Sequence, residues 1–320
     1  MERYLFYALF TSISAAFLAG CGAGSQPTIS APNALGVAAS ASRGQTKQTQ
    51  QRIYVVENHA YSKSSVQIYS YPDGEPKGQL NDLGAPYGDC ADSHGDVFIL
   101  NQNLPATILE YAPGGKTPIK VFEDTGYSPT GCSVDPTTGN LAVTNFYSSN
   151  YTSGTIAVFA PTGTRGQPTL LTAPNMFSPR YCGYDANGNL FVDGYSKSLQ
   201  ILFAELPANT KQFTGITLNQ TINEPGDLQW DGKHMAIGDS STNAIYQFSF
   251  EASTGKEVGS TTLGGVTYGL NQFWIVGSKV VGAAAVDQMV GIWKYPAGGT
   301  AVKVIKEKAG IPVGIAVSSP

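Results

Sequence analysis

Two stretches fifty residues apart repeat one another almost residue for residue. Ser128-Pro129-Thr130-Gly131-Cys132-Ser133-Val134-Asp135, followed by Gly139-Asn140-Leu141-Ala142-Val143-Thr144-Asn145, aligns with Ser178-Pro179-Arg180-Tyr181-Cys182-Gly183-Tyr184-Asp185, followed by Gly188-Asn189-Leu190-Phe191-Val192-Asp193. Weaker copies begin at Ala85-Pro86-Tyr87-Gly88, Glu224-Pro225-Gly226-Asp227, Thr267-Tyr268-Gly269 and Ile311-Pro312-Val313-Gly314. Each copy reads as an inner segment, a turn on Asp and Gly, and an apolar strand. A third strand with an aromatic near its end follows, as in Ile108-Leu109-Glu110-Tyr111 and Ile156-Ala157-Val158-Phe159. A fourth, more polar strand closes the unit, as over 118–122 and 301–306. Four short strands in a unit of about 40 to 45 residues are the mark of a propeller blade, and the alternation of apolar and polar positions supports strand over helix.

The ends of the repeat array predict how it closes. The unit that starts at Arg52 has no inner strand and opens on Ile53-Tyr54-Val55-Val56-Glu57-Asn58, whereas Ile311 to Ser318 form an inner strand with nothing after it. Placing the C-terminal strand inside the first blade gives an all-β fold, a six-bladed β-propeller of four-stranded blades over residues 51–320, with no open sheet edge. The units resemble the NHL-repeat and gluconolactonase-like six-bladed propellers. That resemblance implies a ligand face where the second strands end and, in the metal-dependent lactonase branch, carboxylates and amides at the starts of the inner strands holding a calcium-type ion. Here the matching positions are Tyr87, Thr130, Arg180, Gly226 and Val313, none of them a carboxylate, so lactonase chemistry is not carried over.

The first fifty residues read differently. Arg3 precedes an apolar run from Leu5 to Leu18, too short to span a bilayer. The run ends in Leu18-Ala19-Gly20-Cys21, which resembles the lipobox of bacterial lipoproteins. The resemblance implies a signal peptide over 1–20, a diacylglyceryl group on the sulfur of Cys21 and an acylated amine after cleavage, so that the protein meets the membrane through lipid on Cys21. An ordinary signal cleaved nearby is the alternative. Gly22 in place of Asp points to the outer membrane if the cell is Gram-negative; in either case the expected place is the cell envelope. Residues 21–50 contain no aromatic side chain and are rich in Ala, Ser, Gly, Gln and Thr, which predicts a flexible tether.

Composition limits partners. A net charge of −4, with 13% charged residues, gives no electrostatic basis for nucleic acid binding. The ends of the second strands supply a polar ring, Asn58, Asn101, Asn145, Gly194, Asp239 and Ala284, with Glu57 and Asp193 one residue earlier. These side chains either line a pocket for a sugar or an ion, or cap the turns out of their strands. Arg180 and Tyr87 fall near the same axis, as does Tyr268, and Arg180 either pairs with an anionic ligand or lies in an interblade ion pair. The candidate ligand face is therefore Tyr87, Asn101, Asn145, Arg180, Asp193 and Asp239.

The recurring Asp92, Asp135, Asp185 and Asp231 sit at hairpins on the opposite face and are expected to fix turns. His59, His94 and His234 fall at unrelated places, which disfavours a histidine metal site. Cys90, Cys132 and Cys182 are expected as buried thiols, with a Cys132–Cys182 bridge as the alternative. The leading expectation is a monomeric, non-enzymatic binding scaffold without a cofactor, for a protein or glycan partner. The other reading is a divalent-metal-dependent hydrolase or lyase, with an ion such as calcium held by Asn145, Asp193 and Asp239.

Overall fold

The computed structural model describes residues 50–58, 64–124, 127–148, 150–161, 167–267, 269–306 and 310–319. The expected signal peptide, Cys21, nearly all of the tether, His59 and Tyr268 lie outside them. The described secondary structure is all β. β1 (Arg52–Asn58), β2 (Ser65–Ser70) and β3 (Pro76–Leu80) form one group; β4 (Pro86–Ala91), β5 (Val97–Asn101), β6 (Ala106–Tyr111) and β7 (Lys120–Asp124) the next. Then come β8 (Tyr127–Val134), β9 (Leu141–Ser148), β10 (Ser153–Phe159) and β11 (Thr169–Leu171), followed by β12 (Ser178–Tyr184), β13 (Leu190–Tyr195), β14 (Ile201–Leu206) and β15 (Thr214–Leu218). β16 (Pro225–Trp230), β17 (Met235–Asp239), β18 (Ala244–Glu251) and β19 (Thr254–Gly264) precede β20 (Leu270–Val276), β21 (Lys279–Ala284), β22 (Met289–Lys294) and β23 (Gly298–Lys306). β24 (Ile311–Val317) ends the series.

Each group is an antiparallel meander, and β24 returns to pair with β1, giving the order β24-β1-β2-β3. Short parallel pairs between outer strands, β15 with β19 and β19 with β23, join three groups into one extended sheet and cover edges that would otherwise be exposed. The fifth copy of the repeat begins later than its Thr267-Tyr268-Gly269 marker: Gly269 has φ +90° and lies in the loop, and the inner strand starts at Leu270.

The core lies between the groups. Cys90, Phe98, Leu100 and Ile108 from β4–β6 pack on Cys132, Leu141, Val143 and Phe159 from β8–β10, and equivalent layers recur along the chain. Burying each large apolar side chain contributes about 1.5–3 kcal/mol. This two-sided burial explains the low charge content. The inner strands touch in succession: β4 with β8, β8 with β12, β12 with β16, β16 with β20, β20 with β24, and β24 with β4.

The cysteines follow from the same geometry. Cys132 and Cys182 share a register, opposite Val143 and Val192, so both side chains point back toward the preceding group. Cys182 thus packs beside Ala142 and Ile156, one layer away from Cys132. Cys90 is offset by one residue, which turns it to the other face of its strand and onto Cys132. The disulfide is Cys90–Cys132, with Cα atoms 5.7 Å apart, and Cys182 is a buried free thiol. The expectation of buried thiols is thereby corrected for Cys90 and Cys132, and so is the alternative Cys132–Cys182 bridge.

Candidate functional site

Every inner strand is bulged at the same height. Register shifts occur at Pro86/Gly88, Pro129/Gly131, Pro179/Cys182, Pro225/Leu228, Leu270/Phe273 and, on the β1–β24 pair, Val56/Glu57. A bulge inserts a residue and re-aims the side chains after it. The axial positions therefore fall on Gly88, Gly131, Tyr181, Asp227, Gln272 and Gly314. In the four strands that end in a hairpin Asp they lie four residues before it, one position after the Tyr87, Thr130, Arg180 and Gly226 expected from the sequence.

The middle of the molecule is acidic. Asp89, Asp193 and Asp227 are all buried. Burial holds the Asp227 carboxyl up to about 8, against the pull of the Leu228 and Phe273 amides. Burial likewise raises Asp89 and Asp193 well above the carboxylate range; Asp227 nearby adds to both, and Arg180 opposes the shift of Asp193. Burial thus disfavours the charged form of all three side chains. Gln272 reaches over Gly314 to β4, accepting from the Asp89 amide at 3.4 Å and donating to its carbonyl at 3.3 Å. Trp274, two residues on, packs against three separate interstrand cores. Together Gln272 and Trp274 occupy the interior between the inner strands.

The expected polar ring does not form one pocket. Asn101 accepts from the Ala85 amide at 2.9 Å and donates to Thr107 Oγ1 at 3.4 Å, which makes it a turn cap. Asp239 accepts from the amide and side chain of Asn223 and from the amide and hydroxyl of Ser241. Burial would raise its carboxyl, but these hydrogen bonds outweigh burial and hold it below its ordinary value. Asn145 is fully buried beside Asp124, whose carboxyl burial lifts to about 6 while the Asn145 amide opposes the rise. Asp193 turns inward, accepting from the Tyr181 amide at 2.9 Å. Tyr87 is half-buried at its bulge near Tyr181. The three residues suggested for a metal are thus committed to three different local environments. Among the described residues no group of three or more His, Cys, Asp or Glu side chains is placed to hold a metal ion.

The hairpin Asp residues fix turns, as expected. Asp92 accepts from the amides of His94 and Asp96, Asp135 from Thr137, Asp185 from Asn187 and Asn189, and Asp231 from Lys233 and His234.

An aromatic surface lies where β9 and β13 finish. β9 runs past Asn145 to Ser148, and the hairpin into β10 is held by Tyr151 N donating to Ser148 O at 2.9 Å and by the Ser148–Thr152 hydroxyl pair. Phe146 and Tyr147 ride on this extension, with ring centroids 4.3 Å apart and edge to face. Tyr147 also meets Tyr151 at 6.2 Å and Phe177 at 6.3 Å. Tyr151 is 75% exposed and the other three rings are half-buried. The Arg180 guanidinium lies 5.0 Å from the centre of the Phe146 ring and 5.4 Å from that of Tyr181. Of the expected face, Arg180 alone joins this cluster. The signal for the rest is Phe146-Tyr147-Ser148-Ser149-Asn150-Tyr151, in which aromatic residues occupy a turn that polar residues ordinarily fill.

No protein-family model matches the chain, and no curated protein matches it. Among solved structures, the crystal structure of a nidogen/laminin complex contains a chain similar over 84% of this one and 98% of its own length, at 13% identity and TM-score 0.66. A protein of unknown function from Bacteroides caccae is similar over 85% of this chain and 100% of its own, at 13% identity and TM-score 0.61. Identity this low speaks to fold alone. The described residues have a β-propeller fold.

Proposed function

We propose that this protein is a lipid-anchored binding module of the cell envelope. In this reading residues 51–320 are a monomeric six-bladed propeller of NHL-like repeats, closed by β24. Acyl chains on Cys21 hold it to the membrane, the outer membrane in a Gram-negative cell, once the signal over 1–20 is removed, and residues 21–50 are the tether. The observation that carries the binding role is the cluster of Phe146, Tyr147, Tyr151 and Phe177 with Arg180 beside it, because an exposed Tyr151 ring backed by three half-buried rings at a strand-end turn marks a contact surface. The Cys90–Cys132 disulfide supports an oxidising compartment independently of the leader. Pairing of β24 with β1, and the contacts running from each inner strand to the next, support closure. No catalytic or cofactor role is assigned.

The test uses the full chain. Wild type is expected in the membrane fraction with acyl mass on its N-terminal peptide, and Cys21→Ser in the soluble fraction without it; an unacylated wild type would overturn the anchor. The purified full chain in detergent is expected to bind isolated cell envelopes saturably. Tyr147→Ala with Tyr151→Ala should weaken this at least about tenfold, and equal binding by that variant would overturn the assignment of the face.

A further inference from the structure

We propose that an extended peptide docks in the cleft between the β2–β3 turn and β21–β23, as a strand added along the free edge of β23. The cleft lies at a different seam from the aromatic surface and does not depend on it. It has a volume of about 610 Å³, in the range of ordinary ligand clefts, and is lined by Asp73 and Glu75 of the turn and by Lys279, Ile292, Val302 and Lys303. Three observations carry the inference. The first is an unpaired edge. Outer strands join across two seams, β15 to β19 and β19 to β23, but the pairing with β19 uses only Gly299 and Thr300 of β23. β22 covers the opposite edge of β23, and β3, the outer strand of the next group, pairs with β2 alone among the described residues. Residues 301–306 therefore present backbone N–H and C=O groups that an incoming strand satisfies, and a sugar or a lipid offers no such ladder.

The second observation is the pleat. Val302 and Val304 point to one face of β23 and are exposed, while Lys303 and Ile305 point to the other, Ile305 into the core shared with β1. Val302 and Lys303 both line the cleft, so it reaches round the edge of the strand. A strand added there alternates in the same way, with one set of side chains on the valines and the other between Lys303 and the turn. The third observation is charge of both signs on that second side. A Cβ on Gly74 would stand 3.1 Å from Lys303 Cε and 2.8 Å from Ile305 Cγ1, so the lysine stem runs against the Asp73-Gly74-Glu75 turn. Yet among the described residues no ion pair joins Lys303 to Asp73 or Glu75, and none of these three side chains has another polar partner. Lys279 rests 6.0 Å from the centre of the Tyr71 ring and adds to the positive field. Acid and base left unpaired side by side fit a peptide that carries a basic and an acidic residue on one face and apolar residues on the other.

The experiment is calorimetric titration of the full chain in detergent micelles with end-blocked hexapeptides that alternate valine with lysine and glutamate, in both orders. At least one order is expected to bind with Kd below about 1 mM. Replacing its lysine and glutamate by glutamine should weaken binding about tenfold. N-methylation of alternate amides should abolish binding in one phase and spare it in the other, because only every second N–H of an added strand faces β23. Lys303→Gln should weaken the parent peptide about threefold and leave a peptide without glutamate unaffected; Asp73→Asn with Glu75→Gln should do the same with respect to lysine. Unchanged melting temperatures would show that the variants are folded, and the changes made in the peptide test the site without them. Failure of both orders to bind overturns the proposal. The same effect from both methylation phases overturns strand addition. Equal binding of the charged and glutamine peptides, or binding indifferent to both protein variants, overturns the placement between Lys303 and the turn.

Discussion

Asp227 is buried with its carboxyl held up to about 8, and that one residue gives the protein a pH-dependent stability. In the unfolded chain an Asp loses its proton near pH 4. Between there and about pH 8 the unfolded state has released a proton that the folded state keeps, so stability falls as pH rises through this window and levels off above it. Asp227→Asn removes the titration and keeps one acceptor oxygen, enough for the Leu228 amide, while the Phe273 amide loses its acceptor. Its melting temperature relative to wild type is expected to rise steadily from pH 5 to pH 8; a constant difference across this range would contradict the assignment. A slope from Asp89 and Asp193 should persist in the variant. The turn-fixing Asp92, Asp135, Asp185 and Asp231 were legible in the sequence, because an Asx turn is local. Asp227 lies four residues before its hairpin Asp, as Gly88, Gly131 and Tyr181 do, so its axial place was in the spacing, whereas its meeting with Asp89 and Asp193 was not, because those acids come from other repeats.

At the scale of elements, the inner strands approach closely enough for glycine to be required. A Cβ on Gly183 would stand 2.5 Å from the Leu228 carbonyl oxygen and 2.9 Å from its carbon, both backbone atoms of the neighbouring β16. Gly183→Ala is expected to cost about 1–3 kcal/mol in chemical denaturation. Gly215→Ala on the outer β15, where nothing lies within 4 Å, should stay within about 0.5 kcal/mol of wild type. Equal effects would mean that the inner strands are not so tightly apposed. Strand order within each group was readable from alternation and turn residues. The Cys90–Cys132 pairing was obscured because shared register looks like proximity in an alignment, while side chains one residue apart face opposite neighbours.

At the scale of the whole molecule, β24 contributes buried Ile315, Ala316 and Val317 to cores shared with β1, whose Ile53, Tyr54, Val55 and Val56 are fully buried. Deleting residues 311–320 would strip β1 of that pairing and leave β4 and β20 without the strand between them. The truncated chain is expected to show no cooperative thermal transition by circular dichroism; an unchanged melting temperature would refute closure through β24. The repeat, the β class, the two-sided apolar strands and the pairing of the two chain ends of the array were determined by the sequence alone, because each rests on local periodicity. Only the tertiary structure decided which side chains meet: the acids gathered at the axis beneath Gln272, the Asn145–Asp124 contact, and the aromatic surface beside Arg180. Those encounters join residues from different repeats, and a bulge of one residue is enough to turn a side chain from the axis into the space between blades.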